Sequence, residues 1–423
     1  MKKLLAYKSK VTQGILANDR NFPFVVSQLI NQTVKQSKHQ VECIYVDVTN
    51  FASMDNKTGI QRVVREVIYG LLQDERFKHK IKFIVATKKI GYRLVEFEVK
   101  DNTIAFFRDK VTKNTPLINL TKNDVYLGLD FTPNVVPEHF FSFLKWRLSG
   151  AQLIWILYDL LPLQQPKWFT PATQDTYLPW LKTLFLLSTD ILCISKAVQQ
   201  EVKDYAYNLG LTPKVSHIEL GYGFRTDIVR EPLPSINRSL KEQLAVQKFA
   251  LMVGTLEPRK GHLEIVKAFH QLWDSQRLDI PLVLVGKQGW NIDELKEIIS
   301  NSNYLDEKLF WLEKTNDEDL SWLYSRAKGV IVASYGEGYG LPLIEAIFHH
   351  RHVLARDLTV FREVASNSEN VTFFTSDRVE DCATAIDHWV KSQWSQLLII
   401  NKDSFVDSDW SRSLNCIYNA IYR

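Results

Sequence analysis

The chain contains two carboxylates, Glu337 and Glu345, in the stretch "ASYGEGYGLPLIEA", separated by seven residues that include Gly338, Gly340 and Pro342. The β-branched run Val330, Ile331, Val332 precedes them. This order predicts a strand, then a loop, then a helix with Pro342 suited to its first turn. Gly336, Gly338 and Gly340 would let the backbone take positive φ and come close to a ligand. Glu345, about one turn into the helix, can accept from two neighbouring hydroxyls such as those of a ribose. Hydrogen bonds of that charge-assisted kind contribute roughly 1.5–3 kcal/mol each. Glu337, in the loop, can do the same for a sugar. On the other reading Glu345 is a favourable first-turn acid and the glycines form a tight turn.

A second loop, "VGTLEPRKGH", places Arg259 and Lys260 side by side where another helix is predicted to begin. A helix N-terminus disfavours cations by about 0.3–1 kcal/mol each. The arrangement makes sense when an anion such as a diphosphate shares the site with the backbone N–H groups and both side chains. On the other reading both side chains simply point into solvent. Taken together, the two loops ask for a molecule with a diphosphate, a ribose and a sugar, which is a nucleotide sugar.

Elements must bring these loops together. At 423 residues, with 45% hydrophobic and 24% charged residues, two domains of roughly 200 residues each are expected. Short apolar runs alternate with helical patterns, the signature of a parallel-sheet α/β fold. The runs in the first half are "CIYVDV", "KIKFIVAT", "DVYLGLD", "QLIWILYDL", "DILCIS" and "VSHIEL". In the second half they are "FALMVGTL", "PLVLVG", "LFWL", "GVIVAS", "HVLAR" and "VTFFT". The expected division is a helical appendage over 1–40, a Rossmann-like domain over 41–230, a linker around 225–245, a second Rossmann-like domain over 245–400 and a closing helix over 401–423. Two doubly wound sheets facing each other would leave a cleft outside their strand C-termini, where such sheets bind ligands.

The net charge of +4 is too mild for a dedicated nucleic-acid binder and suits anionic small molecules or an anionic membrane surface. No apolar stretch approaches the roughly 20 residues of a membrane span. Nor does the start of the chain have the apolar run of a signal peptide, so a cytoplasmic protein is expected. The four cysteines lie far apart and read as reduced packing residues. Asp407-Ser408-Asp409 reads as a cap and solvated turn, and His349, His350 and His352 as cap or surface residues, so no metal is expected.

The motif "EGYGLPLIE" resembles the E-x7-E signature of retaining family-4 glycosyltransferases, and "GTLEPRKGH" resembles that family's loop with the Arg/Lys pair. The resemblance is strong over roughly 245–370, continues more weakly from about 42 to 230, and does not cover the first 40 residues. It implies the GT-B fold of two Rossmann-like domains and a metal-independent reaction with no cofactor. Arg259 and Lys260 would neutralise the leaving diphosphate, Glu345 would bind the ribose and Glu337 the donor sugar. The segment Gly338, Tyr339, Gly340 and Leu341 would line the donor. "DNKTGIQRVVREV" resembles the family's glycine loop, with Gly59 near the diphosphate and Arg62 on the following helix. "ILYDLLPL" resembles a motif in which many members carry His-Asp. Here the pair is Tyr158-Asp159, so a histidine role does not transfer, and Asp159 is the candidate for contacting the donor sugar or orienting the acceptor. Ser195 matches a position near the family's cleft.

The implied partners are a nucleotide-sugar donor and a glycan or lipid-linked saccharide acceptor. Peripheral association with the inner face of the plasma membrane and contact with other polysaccharide-assembly enzymes are compatible with these. The "YDLLP" and "TGIQRVVRE" pieces resemble transferases that build bacterial surface polysaccharides such as capsule or lipopolysaccharide, often with mannose. GDP-mannose is therefore the first donor to consider, with UDP-hexoses and dTDP-rhamnose open. A different class of reading is a non-catalytic GT-B subunit that binds a sugar nucleotide. A glycosidase fits poorly, because its carboxylates must oppose each other across a bond.

Overall fold

The computed structural model describes residues 22–34, 40–54, 58–100, 103–221, 235–365, 368–395 and 410–422. The chain divides into two compact units, Met1–Gly221 with Trp410–Arg423, and Tyr222–Asp409.

In the first unit the strands are β1 (Cys43–Asp47), β2 (Ile81–Val85), β3 (Arg93–Leu94), β4 (Phe97–Lys100), β5 (Thr103–Phe106), β6 (Asp124–Gly128), β7 (Gln152–Leu157), β8 (Asp190–Cys193) and β9 (Val215–His217). Its helices are α1 (Phe22–Thr33), α2 (Gly59–Gln73), α3 (Phe140–Leu148), α4 (Leu161–Gln164), α5 (Pro171–Leu187) and α6 (Lys196–Asn208). Seven strands form one sheet in the order β3-β2-β1-β6-β7-β8-β9, with every pair parallel except β2 and β3. Strands covered on both faces need apolar residues throughout. Accordingly β6 and β8 are buried along their whole length. The core includes Trp155, Tyr177 and Trp180, and α1 contributes Val26 and Ile30 to it.

The second unit holds β10 (Ala250–Val253), β11 (Leu282–Val285), β12 (Leu309–Leu312), β13 (Gly329–Val332), β14 (His352–Arg356) and β15 (Val371–Phe374). Its helices are α7 (Arg238–Val246), α8 (His262–Asp274), α9 (Asp293–Ser300), α10 (Asp317–Arg326), α11 (Leu341–Phe348), α12 (Thr359–Val364) and α13 (Val379–Gln393). The sheet order is β12-β11-β10-β13-β14-β15, all parallel. Helix α7 occupies the end of the expected linker and is tied to this unit through Asp319. That carboxylate accepts from Ser235 N at 2.7 Å and from Lys241 Nζ at 2.6 Å. Residues 225–234 of that linker lie outside the described residues.

The closing helix α14 (Ser411–Tyr422) returns to the first unit. Ser413 Oγ donates to Glu219 O at 2.6 Å, and Gln152 Nε2 donates to Ile421 O at 3.1 Å. All twelve expected strands form. The short β3 and the β4–β5 hairpin were not expected, because their sequence "RLVEFEVKDNTIAF" lacks a long apolar run. The hairpin is held on the unit by Phe97 and Phe106, whose rings lie 4.8 and 5.2 Å from that of Phe83.

Both large sheets reverse their winding once, between β1 and β6 and between β10 and β13. Loops leaving two such neighbouring strands diverge to opposite faces and leave a crevice, where doubly wound folds bind ligands. The suspected Arg259–Lys260 and Glu337–Glu345 loops follow β10 and β13, so the topology alone makes them neighbours. Their packing leaves no room at Gly261, which has φ 70° and where a Cβ would meet Ala333 O at 2.5 Å. Gly261→Ala is therefore expected to cost about 1–3 kcal/mol in urea unfolding, and an unchanged midpoint would show that the two loops are not packed this way.

Candidate active site

The loop after β10 runs from Gly254 to Gly261 and closes in a 3-10 turn, Pro258–Lys260, so Arg259 and Lys260 stand just before α8 rather than in its first turn. The loop after β13 runs from Ala333 to Gly340. Tyr335 N donates to Arg259 O at 2.7 Å, which stitches the two loops together. Arg356, at the end of β14, supports the junction. Its Nε donates to Ala333 O at 3.0 Å and its guanidinium lies 4.0 Å from the Tyr335 ring centre.

Side chains then link the loops by charge. Arg259 Nη1 donates to Glu337 Oε2 at 3.0 Å, and Lys260 Nζ pairs with Glu337 Oε1. Ser334 Oγ donates to the same Oε1 at 2.7 Å. On its other side Arg259 Nε pairs with Glu257 Oε1 at 2.7 Å. Glu257 is only 3% exposed; burial pushes its carboxyl up, against the pull of Arg259 and Lys260. At Glu337 burial also works upward, but Lys260, Arg259 and the bonds from Lys260 and Ser334 outweigh it and bring the carboxyl down from 4.5 to about 2. That shift corresponds to roughly 3 kcal/mol in favour of the ionised form. A carboxylate offers about four acceptor positions. Among the described residues Arg259, Lys260 and Ser334 take three of them, and a fourth can accept an incoming hydroxyl. Next to Lys260, the buried His262 is held neutral: burial and that cation bring its imidazole down to about 3.

Glu345 is the fifth residue of α11 and is 2% exposed. Tyr324 on α10 donates its hydroxyl to Glu345 Oε2 at 2.7 Å. The Tyr324 ring stacks on His349, with centres 5.3 Å apart and planes within 5°. This fixes the carboxylate at the base of the loop Gly338-Tyr339-Gly340-Leu341. Of the three loop glycines only Gly340 has positive φ, at 101°, and a Cβ there would sit 2.5 Å from the Phe361 ring. Gly336 and Gly338 are therefore not required by backbone handedness.

In the first unit, Asp159 follows β7. Its Oδ1 accepts from Leu161 N at 3.1 Å, and its carbonyl accepts from the Tyr177 hydroxyl. Tyr158 is buried, and its hydroxyl donates to Leu129 O at 2.7 Å. Gly59 is the first residue of α2 and Arg62 lies in its first turn, behind a capping box made by Thr58 and Gln61. Ser195 caps α6 by accepting from Val198 N at 3.1 Å. Beyond Asp159, in "QQPKWFTPATQDTYLPW", Tyr177 and Trp180 pack into the core. Asp407 to Asp409 lie outside the described residues.

Sequence reasoning passed over Glu257, Tyr324, Arg356 and two aspartates of the first unit, Asp47 and Asp130. The aspartates had a signal, since each opens an Asp-x-Thr at a strand end, "DVT" and "DFT". Both are fully buried. Burial, followed by the neighbouring Asp47 charge, pushes the Asp130 carboxyl up to about 7.

Residues 238–402 match the family model described as glycosyl transferases group 1. The chain is 33% identical over 359 residues to the serotype-specific mannosyltransferase WbdA of Escherichia coli, a match that covers 84% of this chain and 42% of that protein. It thus spans less than half the length of this curated relative. Among solved structures, the catalytic domain of starch synthase IV from Arabidopsis thaliana, bound to ADP and acarbose, superposes with TM-score 0.58 at 12% identity, covering 91% of this chain and 100% of that one. HepE from Anabaena, in complex with UDP and glucose, superposes with TM-score 0.54 at 12% identity, covering 90% and 94%. The fold is GT-B, the two-domain α/β architecture of a large class of glycosyltransferases.

Two outcomes check this geometry. Tyr324→Phe removes a donor from a buried carboxylate and is expected to cost about 1.5–3 kcal/mol in urea unfolding; no measurable loss would place Glu345 elsewhere. Because the folded-state carboxyl of Asp130 titrates above the ordinary 3.8, its stabilising contribution is complete below that value and is lost as pH rises through about 7. The stability of Asp130→Asn relative to the unaltered chain should therefore improve between about pH 4 and about pH 8. A pH-independent difference would contradict the burial of that charge.

Proposed function

We propose that the chain is a retaining glycosyltransferase that moves a hexosyl unit from a nucleotide sugar to a glycan or lipid-linked saccharide in bacterial surface polysaccharide synthesis. The observation that carries this reading is the pairing of Arg259 and Lys260 with Glu337 across two stitched loops at the β10/β13 reversal, with Glu345 on the helix that follows the second loop. Mannose is the favoured sugar and GDP-mannose the favoured donor, because the relative matched over most of the chain is named a mannosyltransferase. A UDP-hexose is the second reading, favoured by the UDP and glucose in the HepE complex. dTDP-rhamnose belongs to the same panel.

In this reading Arg259 and Lys260 stabilise the departing diphosphate, and Glu345 holds the ribose hydroxyls. The last acceptor position of Glu337 takes a donor-sugar hydroxyl, while Gly338 to Leu341 line the sugar and phosphates. Gly59 and Arg62 approach the diphosphate, and Asp159 contacts the donor sugar or orients the acceptor. The acceptor hydroxyl attacks the anomeric carbon on the face from which the diphosphate leaves. The bond from that carbon to the phosphate oxygen breaks, and the acceptor's proton passes to that oxygen. Positioning and charge stabilisation carry the rate, with no protein base and no divalent ion called upon. A peripheral place at the inner face of the plasma membrane would suit a lipid-linked acceptor; among the described residues no helix is long and apolar enough to cross a membrane.

The test is a panel of GDP-, UDP- and dTDP-sugars, assayed with and without acceptor and with a chelator present. Turnover of one donor with retained configuration supports the reading. Binding of a nucleotide sugar with neither transfer nor hydrolysis would instead make the chain a non-catalytic subunit. Lys260→Ala should lower turnover by about 10²–10³ while shifting the unfolding midpoint far less; unchanged turnover would remove Lys260 from the site.

A further inference from the structure

Asp47 and Asp130 have no part in the chemistry above, yet they occupy the winding reversal of the first unit. Asp47 ends β1, and Asp130 lies two residues past β6. Asp47 Oδ2 accepts from the Tyr92 and Tyr126 hydroxyls at 3.0 and 2.7 Å, and its Oδ1 accepts from Thr49 N at 3.0 Å. Asp130 Oδ2 accepts from two successive backbone groups, Asn50 N at 2.5 Å and Phe51 N at 2.7 Å. Asn50 Nδ2 returns a bond to Phe131 O at 2.5 Å. Among the described residues neither carboxylate forms an ion pair with a lysine or arginine. A buried carboxylate without a cation is costly to the fold, and two neighbouring ones oppose each other's ionisation. Stability alone does not account for the pair.

What Asp130 grips is the turn that precedes α2. Ala52 N donates to Val48 O at 2.7 Å, and Met54 N donates to Asn50 O at 3.1 Å. Arg108 Nη1 and Ser53 Oγ both donate to Thr49 O, at 2.9 and 2.8 Å. Met54 O then accepts from Gln61 Nε2 at 2.6 Å, and Gln61 is the residue that completes the capping box of α2. A continuous run of hydrogen bonds thus joins Asp130 to the first turn of α2, where Gly59 and Arg62 lie.

We propose that Asp130 is a positioning residue for sugar transfer: its carboxylate fixes the 50–54 turn and, through the Met54–Gln61 bond, the start of α2. The proposal rests on the reading of Gly59 and Arg62 as donor-facing.

Amide hydrogen exchange and steady-state kinetics on the full chain test it together. In Asp130→Ala, exchange across residues 48–54 and the first turn of α2 should rise at least about tenfold, with β7 and β8 still protected. Turnover of the sugar nucleotide accepted in the panel should fall by about 10–100-fold, with a smaller change in its KM, as expected for misplaced groups. Asp130→Asn keeps an acceptor oxygen and should restore turnover to within about fivefold. Should Asp130→Ala not fold, Gln61→Ala breaks the same run from its far end and should loosen the start of α2 with a comparable loss of turnover. Unchanged exchange over 48–54 overturns the clamp, and loosened exchange with undiminished turnover overturns its link to catalysis. A chain that turns over no donor refutes the transferase reading and the role in transfer with it, while exchange still decides whether the clamp exists.

Discussion

Two cations at adjacent positions repel each other, and a helix that begins beside them adds the positive end of its dipole. Arg259 and Lys260 are in that position, and Glu337 holds them there by pairing with both. The pair is set at the end of one strand and the carboxylate at the end of its neighbour, so the ionic contact also locks the two loops into one surface. Glu257 adds a second negative charge against Arg259. These four side chains sum to zero, two positive and two negative. Under the proposed function, a diphosphate arriving here would meet cations that are held in place, already compensated and mostly buried. Its affinity would then come from redirecting N–H donors toward phosphate oxygens rather than from neutralising bare charge.

The two units apply one topology to different ends. Each reverses its winding once and places polar groups at that reversal. In the second unit the groups are cations with a shared carboxylate, suited to an anion. In the first they are two carboxylates satisfied by tyrosine hydroxyls and backbone N–H groups, suited to holding a turn. The aromatic core beneath, where Tyr126 lies 5.1 Å from Trp155 and 4.9 Å from Phe143, keeps those hydroxyls in register. Rigid strands carry the polar groups and short loops present them.

Much of this was legible because it is local. Apolar runs such as "GVIVAS" and "FALMVGTL" mark strands, and glycine with Pro342 marks where a strand gives way to a helix. The Arg259–Lys260 and Glu337–Glu345 sets stood out as candidates through residue types and spacing, and the structure places their loops side by side. What escaped depends on contacts distant in sequence. Tyr324 reaches Glu345 from another helix, and Asp130 grips Asn50 and Phe51 across about eighty positions. The pairing of Glu337 with the cations was equally invisible, since nothing in either loop announces the other. The bond from the buried Tyr158 hydroxyl to Leu129 O was likewise out of reach, since it spans about thirty positions.

The central claim is that the cation pair held by Glu337 is a diphosphate receptor. Calorimetric titration of the preferred nucleoside diphosphate against the corresponding nucleoside, in the unaltered chain and in a chain with both Arg259→Ala and Lys260→Ala, measures it most directly. A charge-assisted hydrogen bond contributes roughly 1.5–3 kcal/mol, so the preference for the diphosphate should collapse by at least about a hundredfold in the double variant while nucleoside affinity holds. A preference for the diphosphate that survives the loss of both side chains would contradict it.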